Sequence, residues 1–213
     1  MIIKTITSHN RNDFESELDQ HFRIRHDIYV GERKWMKLAK PDARERDQFD
    51  DDNAVYLLAV DGNAVIGGSR LIPSVKPHLL SEVFPHLALK GVPRSADIYE
   101  WTRVHVVKER REGRNRGQAL GNVFCGVVEY CLAEGISALT AIVEMWWLPH
   151  FHEMGWVVNP LGLPELIESE WSVAVSLLID QETLESTRAM FGIKGSVLAG
   201  PTQNWRPRNR VPA

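Results

Sequence analysis

The chain has 213 residues, 44% of them hydrophobic and 25% charged, enough apolar material for the core of one large domain, which excludes disorder, collagen and coiled coil for its bulk. A net charge of −3, from 25 basic and 28 acidic residues, argues against nucleic acid as a partner. No stretch approaches the roughly 20 consecutive apolar residues that cross a bilayer, so no membrane partner is expected.

IIKTIT near the start reads as a strand, and MIIKTITSHNRNDFE turns polar too early for a signal peptide. A long helix follows from about Arg11 to Gly31, with Phe14, Leu18, Phe22, Arg25 and Tyr29 on one face. Arg25 breaks that stripe, either as a side chain snorkelling at its edge or as a charge aimed into a cleft. KPDARERDQFDDDN (Lys40–Asn53) reads as a loop. AVYLLAV and NAVIGGSRLIP form a hairpin with Asp61-Gly62 at the turn. HLLSEVFPHL supplies a helical turn or two, and IYEWTRVHVV (Ile98–Val107) is a strand.

RREGRNRGQ leads into a helix ending near Glu134, with Val123, Val127, Val128 and Leu132 on one face. Cys125 and Cys131 both lie in it, roughly 9 Å apart along the axis, too far for a disulfide; core filling in a reducing, cytoplasmic setting is expected. SALTAIV is a strand, WLPHFHEM a short helix, GWVVNPLG a strand or turn, WSVAVSLLI the closing strand and Gln181–Phe191 a helix. Residues 1–195 are read as one domain and 196–213 as a loose tail.

This order predicts an α/β fold, a three-layer sandwich with a mixed central sheet and helices on both faces. A strand followed by an Arg/Gly-rich turn and a helix is the layout of the acyl-CoA-binding N-acyltransferases (GNAT-like).

Four features carry possible chemistry. The acidic run Glu45-Arg46-Asp47-Gln48-Phe49-Asp50-Asp51-Asp52 is either a solvated loop or a receptor for an organic cation. Tyr29, Trp35 and Phe49 flank it, as core aromatics or as a lining for a purine or a sulfonium. On the Ile98 strand, strict alternation puts Glu100 and Thr102 on one face and Trp101 and Arg103 on the other. The two charges are either half of a buried ion-pair arrangement or a general base with its companion. Arg110, Arg111, Arg114 and Arg116 precede a helix, where arginines and backbone amides together suit phosphate. His150-x-His152 faces two ways on a helix and lacks a third ligand, so no metal site is expected.

Read together, these motifs resemble the acyl-homoserine-lactone synthase (autoinducer synthase) family. Arg25, Tyr29 and Trp35 match its Arg-x3-aromatic-x5-Trp signature, and Glu45, Asp47, Phe49 and Asp50 its acidic segment. Arg70, Phe84, Glu100 and Arg103 follow in order, the match running from about residue 22 to residue 165. Thr102 stands where serine is usual and Tyr29 where phenylalanine is commoner. EMWWLPHFHEMGW and PLGLP resemble a subgroup that takes branched-chain or aryl acyl-CoA.

The resemblance implies S-adenosylmethionine and an acyl thioester as substrates, the acyl group on coenzyme A or alternatively on acyl carrier protein, with no cofactor. It implies a site for S-adenosylmethionine built from Arg25, Tyr29, Trp35, Glu45, Asp47, Phe49, Asp50, Arg70, Phe84 and Arg103. Asp47 and Asp50 would face the ammonium and sulfonium, Arg25 and Arg103 the carboxylate, and Glu100 would take the ammonium proton. Trp101, Thr140, Ile142, Trp146 and Trp147 would form the acyl pocket, and the four arginines would hold the carrier phosphates. A generic acyl-CoA N-acyltransferase and a non-catalytic sensor of either substrate are the rival readings.

Overall fold

The computed structural model describes residues 1–111 and 117–200. Short runs rich in β-branched and other apolar residues make the first three strands, the second and third being buried along nearly their whole length. Ile2–Ile6 (β1), Val55–Asp61 (β2) and Ala64–Pro73 (β3) are antiparallel neighbours, with Ile3 opposite Ala59 and Leu57 opposite Ser69. The hairpin turn falls on Gly62-Asn63, one residue later than the Asp61-Gly62 expectation, with Gly62 at φ +62.

The long helical segment changes pitch along its length. Arg11–Phe14 is a 3-10 turn, Glu15–His26 (α1) is α-helical and Asp27–Glu32 continues with π geometry. Its stripe packs Phe22, with Phe14 and Leu18, on the β2–β3 face made by Tyr56, Leu58, Val60 and Val65.

Leu79–Glu82 (α2) lies between β3 and Ile98–Val106 (β4), and Lys108–Arg111 (α3) follows. Gln118–Glu134 (α4) covers the opposite face, burying Val123, Val127 and Val128 beneath Ile3, Leu57 and Leu71. A Cβ on Gly126 would stand 2.9 Å from Ile3, so glycine is what lets α4 lie so close to β1. Cys125 and Cys131 are free and buried there, as expected, and burial pushes the Cys125 thiol up to about 12.

Ala138–Glu144 (β5), Trp147–Glu153 (α5), Val158–Pro160 (β6), Glu165–Ile167 (β7), Glu170–Leu178 (β8) and Gln181–Phe191 (α6) complete the fold. Sheet order is β1-β2-β3-β4-β5-β8-β6, with β7 also on β8; β4 and β5 are parallel and every other pair antiparallel. The expected sandwich with a mixed sheet is what the chain forms. β7 was not anticipated, because a three-residue strand inside a Pro/Gly-rich stretch has too few residues to show alternation.

Two features position the site. First, β4 and β5 pair only from Ile98 with Ala138 to Glu100 with Thr140, and beyond that they part. Second, β4 carries a bulge. Between the pairs Gly68/His105 and Arg70/Thr102, β3 supplies Ser69 while β4 supplies both Arg103 and Val104. Arg103 takes φ +57, a left-handed conformation costing a non-glycine residue about 1–2 kcal/mol.

The C-terminal boundary also moves. Residues 196–199 are not loose: Ile3 N–H donates to the Val197 carbonyl at 2.8 Å, Ala199 N–H to Ile3 at 2.8 Å, and Glu129 accepts from Ser196 Oγ at 2.6 Å. The remainder of the expected tail, 201–213, lies outside the described residues.

Candidate active site

The parting of β4 from β5 opens a cavity of about 740 Å³ that passes through the sheet. On the α1 side it is lined by Tyr29, Trp35, Asp47, Phe49, Phe84, Thr102 and Arg103. On the α4 side its walls are aromatic: Trp101, Phe124, Trp147 and Phe151. Trp101 meets Phe124 edge-on at 5.0 Å and stacks on Trp156 at 5.9 Å, so the apolar chamber has a rigid floor.

The polar chamber rests on a buried ionic cluster. Arg25, at 0% exposure, reaches Glu45 at 2.5 Å and forks onto both oxygens of Asp50 at 2.8 and 2.9 Å. Arg70, also at 0%, forks onto Asp47 at 2.6 and 3.1 Å. Arg103 bonds Glu45 at 2.9 and 3.0 Å and Asp47 at 2.9 Å. Tyr56 adds its hydroxyl to Asp50 at 2.9 Å. Burial alone would raise the Asp50 carboxyl, but the charges of Arg25 and Arg70 hold it far below the usual carboxylate range; Arg103 and Arg25 lower Glu45 against burial in the same way.

This corrects the expectation of an acidic pouch. The three carboxylates are matched by three guanidiniums, and Arg25, Glu45, Asp50 and Arg70 do not line the cavity. Arg25 neither snorkels nor points into a cleft; it is an internal tie between α1 and the acidic loop. Only Asp47 and Arg103 of the six reach the cavity.

Arg103 is there because of the bulge. Strict alternation put it with Trp101; instead it shares the face of Thr102, whose hydroxyl accepts from Arg70 at 3.2 Å. Tyr29 braces this arrangement: its hydroxyl donates to the Val104 carbonyl at 3.1 Å, its ring stacks on Trp35 at 5.3 Å, and the Arg103 guanidinium lies over the same Tyr29 ring at 5.4 Å.

Glu100 is placed otherwise than expected. It is 0% exposed and does not line the cavity. Its carboxylate accepts from the amides of Leu79 at 3.0 Å and Leu80 at 2.6 Å, and faces His78 Nδ1 at 3.1 Å. It therefore anchors the N-terminus of α2, whose Leu79, followed by Val83 and Phe84, walls the cavity. Of the expected acyl-pocket residues, Trp101, Ile142 and Trp147 line the cavity. Thr140 is fully buried and, like Trp146, does not line the cavity; Trp146 stacks on Trp147 at 4.7 Å with 48% exposure. Arg110 is paired with Asp61, and Arg111 with Glu32 at 2.6 Å, both at the surface; Arg114 and Arg116 lie outside the described residues.

Sequence reasoning missed Phe124 and Phe151, because an aromatic on the apolar face of a helix reads as ordinary core. It also missed Arg33 and Lys37, which tie the segment after α1 to Glu144 and, at 3.3 Å, to Glu168 at the cavity's edge.

An autoinducer synthase family model matches residues 9–187, most of the chain. The chain belongs to the autoinducer synthase family. Among similar members, the isovaleryl-homoserine lactone synthase of Bradyrhizobium diazoefficiens is 47% identical over 197 residues, covering 92% of this chain and 88% of that protein. A solved structure of the CoA-dependent acyl-homoserine lactone synthase BjaI with SAM and isopentyl-CoA superposes with a TM-score of 0.88 at 46% identity, covering 95% of each chain. An N-acetyltransferase fold outside the autoinducer synthases is also recovered: a putative N-acetyltransferase from Lactobacillus plantarum has a TM-score of 0.53 at 17% identity, with 84% of this chain and 100% of that one covered, a likeness of fold alone.

Proposed function

We propose that this autoinducer synthase condenses S-adenosylmethionine with a short branched-chain or aryl acyl-CoA, releasing an acyl-homoserine lactone and methylthioadenosine. The observation carrying the reading is the single cavity that joins an Asp47/Arg103 polar chamber to an aromatic chamber through the gap between β4 and β5.

Asp47 receives the substrate ammonium and Arg103 its carboxylate, while Trp35, stacked on Tyr29 and with the Arg33 guanidinium over its ring at 5.2 Å, lines the wall that meets the adenine or methylthio end. The charge-neutral cluster behind them fixes both groups before substrate arrives, so little reorganisation accompanies binding. The acyl chain enters between Trp101, Phe124, Trp147 and Phe151, walls that fit a compact or flat group.

Acylation forms the amide C–N bond and breaks the thioester C–S bond. The ammonium gives one proton to solvent, its nitrogen attacks the thioester carbonyl, and a second proton leaves with the thiolate. Glu100, saturated by α2, acts in this reading as the anchor of the cavity wall. In lactonisation the substrate carboxylate attacks its own γ-carbon, the carbon–sulfonium bond breaks, and methylthioadenosine departs neutral. That step depends on Arg103 holding the carboxylate in line.

Incubating the protein with S-adenosylmethionine and a panel of acyl-CoA thioesters tests the proposal by mass spectrometry. Methylthioadenosine together with an acyl-homoserine lactone is expected; acyl transfer without methylthioadenosine would refute it. The same acyl group presented on acyl carrier protein is expected to be a poorer donor.

A further inference from the structure

His105 has no part in the chemistry above, yet it sits two residues after Arg103 on the same bulged strand. We propose that His105 is a positioning residue: its Nδ1–H holds the β4 bulge and thereby aims Arg103 into the cavity. The inference rests on the proposed role of Arg103 in binding the carboxylate of S-adenosylmethionine.

His105 Nδ1 lies 2.8 Å from the carbonyl oxygen of Arg103. A carbonyl only accepts, so the ring proton belongs on Nδ1. Nε2 is buried and has no hydrogen-bond partner among the described residues, so the ring's one polar contact is the bulge itself. The two carbonyls of the bulge are thus each held by a side chain, Arg103 by His105 and Val104 by Tyr29.

The surroundings are shaped for this ring. His21 from α1 packs against it at 4.9 Å. Opposite, β3 presents Gly67 and Gly68: a Cβ on Gly67 would stand 2.9 Å from the His105 carbonyl, and one on Gly68 2.7 Å from Leu58 and 3.4 Å from His21 Nδ1. Bulky residues at either position would push the two strands or the two rings apart.

Without its bonds, left-handed Arg103 relaxes toward extended backbone. Strand alternation then returns its side chain to the face of Trp101, away from Asp47 and Glu45. His105 therefore controls which face of the sheet carries the guanidinium, while touching no substrate itself.

Two measurements test this. In the unmodified protein, ¹⁵N NMR of the imidazoles is expected to find His105 protonated at Nδ1 and bare at Nε2; the reverse tautomer overturns the proposal. Second, His105→Asn places an amide N–H where Nδ1 stands, whereas His105→Gln places it near Nε2. His105→Asn is expected to keep KM for S-adenosylmethionine within about twofold, and His105→Gln to raise it about tenfold with KM for acyl-CoA unchanged and the two melting temperatures alike. Equal effects of the two substitutions, or a rise in both KM values together, overturn it. Failure to release methylthioadenosine in the unmodified protein counts against the proposed function, and the tautomer still decides the role of His105.

Discussion

Asp47 and Arg103 meet at 2.9 Å at the cavity wall, one cavity-facing carboxylate locked to one cavity-facing guanidinium. Each is held from behind, Asp47 by Arg70 and Arg103 by Glu45. Asp47→Asn keeps the shape and removes the charge. It is expected to raise KM for S-adenosylmethionine about 10- to 100-fold, the value of a charge-assisted hydrogen bond, with little change in KM for acyl-CoA. Steady-state kinetics with each substrate varied separately checks this.

Arg25 is further from the chemistry and more important to the fold. Replacing it with methionine leaves Glu45 without one partner and Asp50 without its fork in a buried setting. A loss of about 3–5 kcal/mol is expected, the cost of stranding buried charge, and urea denaturation measures it. The same substitution at exposed Arg23, paired with Asp19 on the outer face of α1, is expected to cost under about 1 kcal/mol.

Trp147 closes the aromatic chamber and is itself stacked by Trp146. Trp147→Ala is expected to open the chamber, so that kcat/KM for straight-chain acyl-CoAs of eight or more carbons (a length of about 10 Å) rises relative to short branched ones. A competition assay with mixed acyl-CoAs reads the ratio directly.

Glu100→Gln separates an anchor from a proton acceptor. Glutamine can accept at one position only, so it leaves an amide of α2 or His78 unsatisfied. A stability loss of about 1–3 kcal/mol with a fall in turnover is expected. Full stability with lost turnover would instead assign Glu100 to proton transfer.

Stability is expected to decline on the acid side of neutrality. Burial drives the His105 ring down to about 4, with Arg25 adding to the effect, and His21 is held well below the usual histidine range by burial, His105 and Arg25. The unfolded chain protonates these rings near about pH 6.5. Between that value and about 4 the unfolded state binds more protons, so folding stability falls as pH drops through this window. Below it, protonation of Asp50 and Glu45, both depressed by their arginines, removes the cluster's stabilisation in turn. Urea midpoints at pH 7.5, 6 and 5 are expected to decrease in that order, and less steeply in His105→Asn.

Most of the order of strands and helices was legible because hydrophobic pattern and turn residues are local properties: the stripe of α1, the apolar runs of β2 and β3 around a turn and the valine face of α4 each fix an element without reference to the rest. Several residues that line the cavity, among them Trp35, Asp47, Phe49 and Arg103, were legible as charges and aromatics standing where a core pattern has no use for them, whereas Phe124 and Phe151 were hidden in ordinary core patterns. The roles of the site residues were not legible. Whether Arg25 meets substrate or Asp50, and whether Glu100 faces the cavity or α2, depends on contacts between segments distant in sequence. Arg103 shows the limit most sharply. Alternation assigns it to the wrong face, because a bulge is set by how β3 and β4 come into register and by what His105 and Tyr29 bond, and neither is written in the spacing of EWTRVHV.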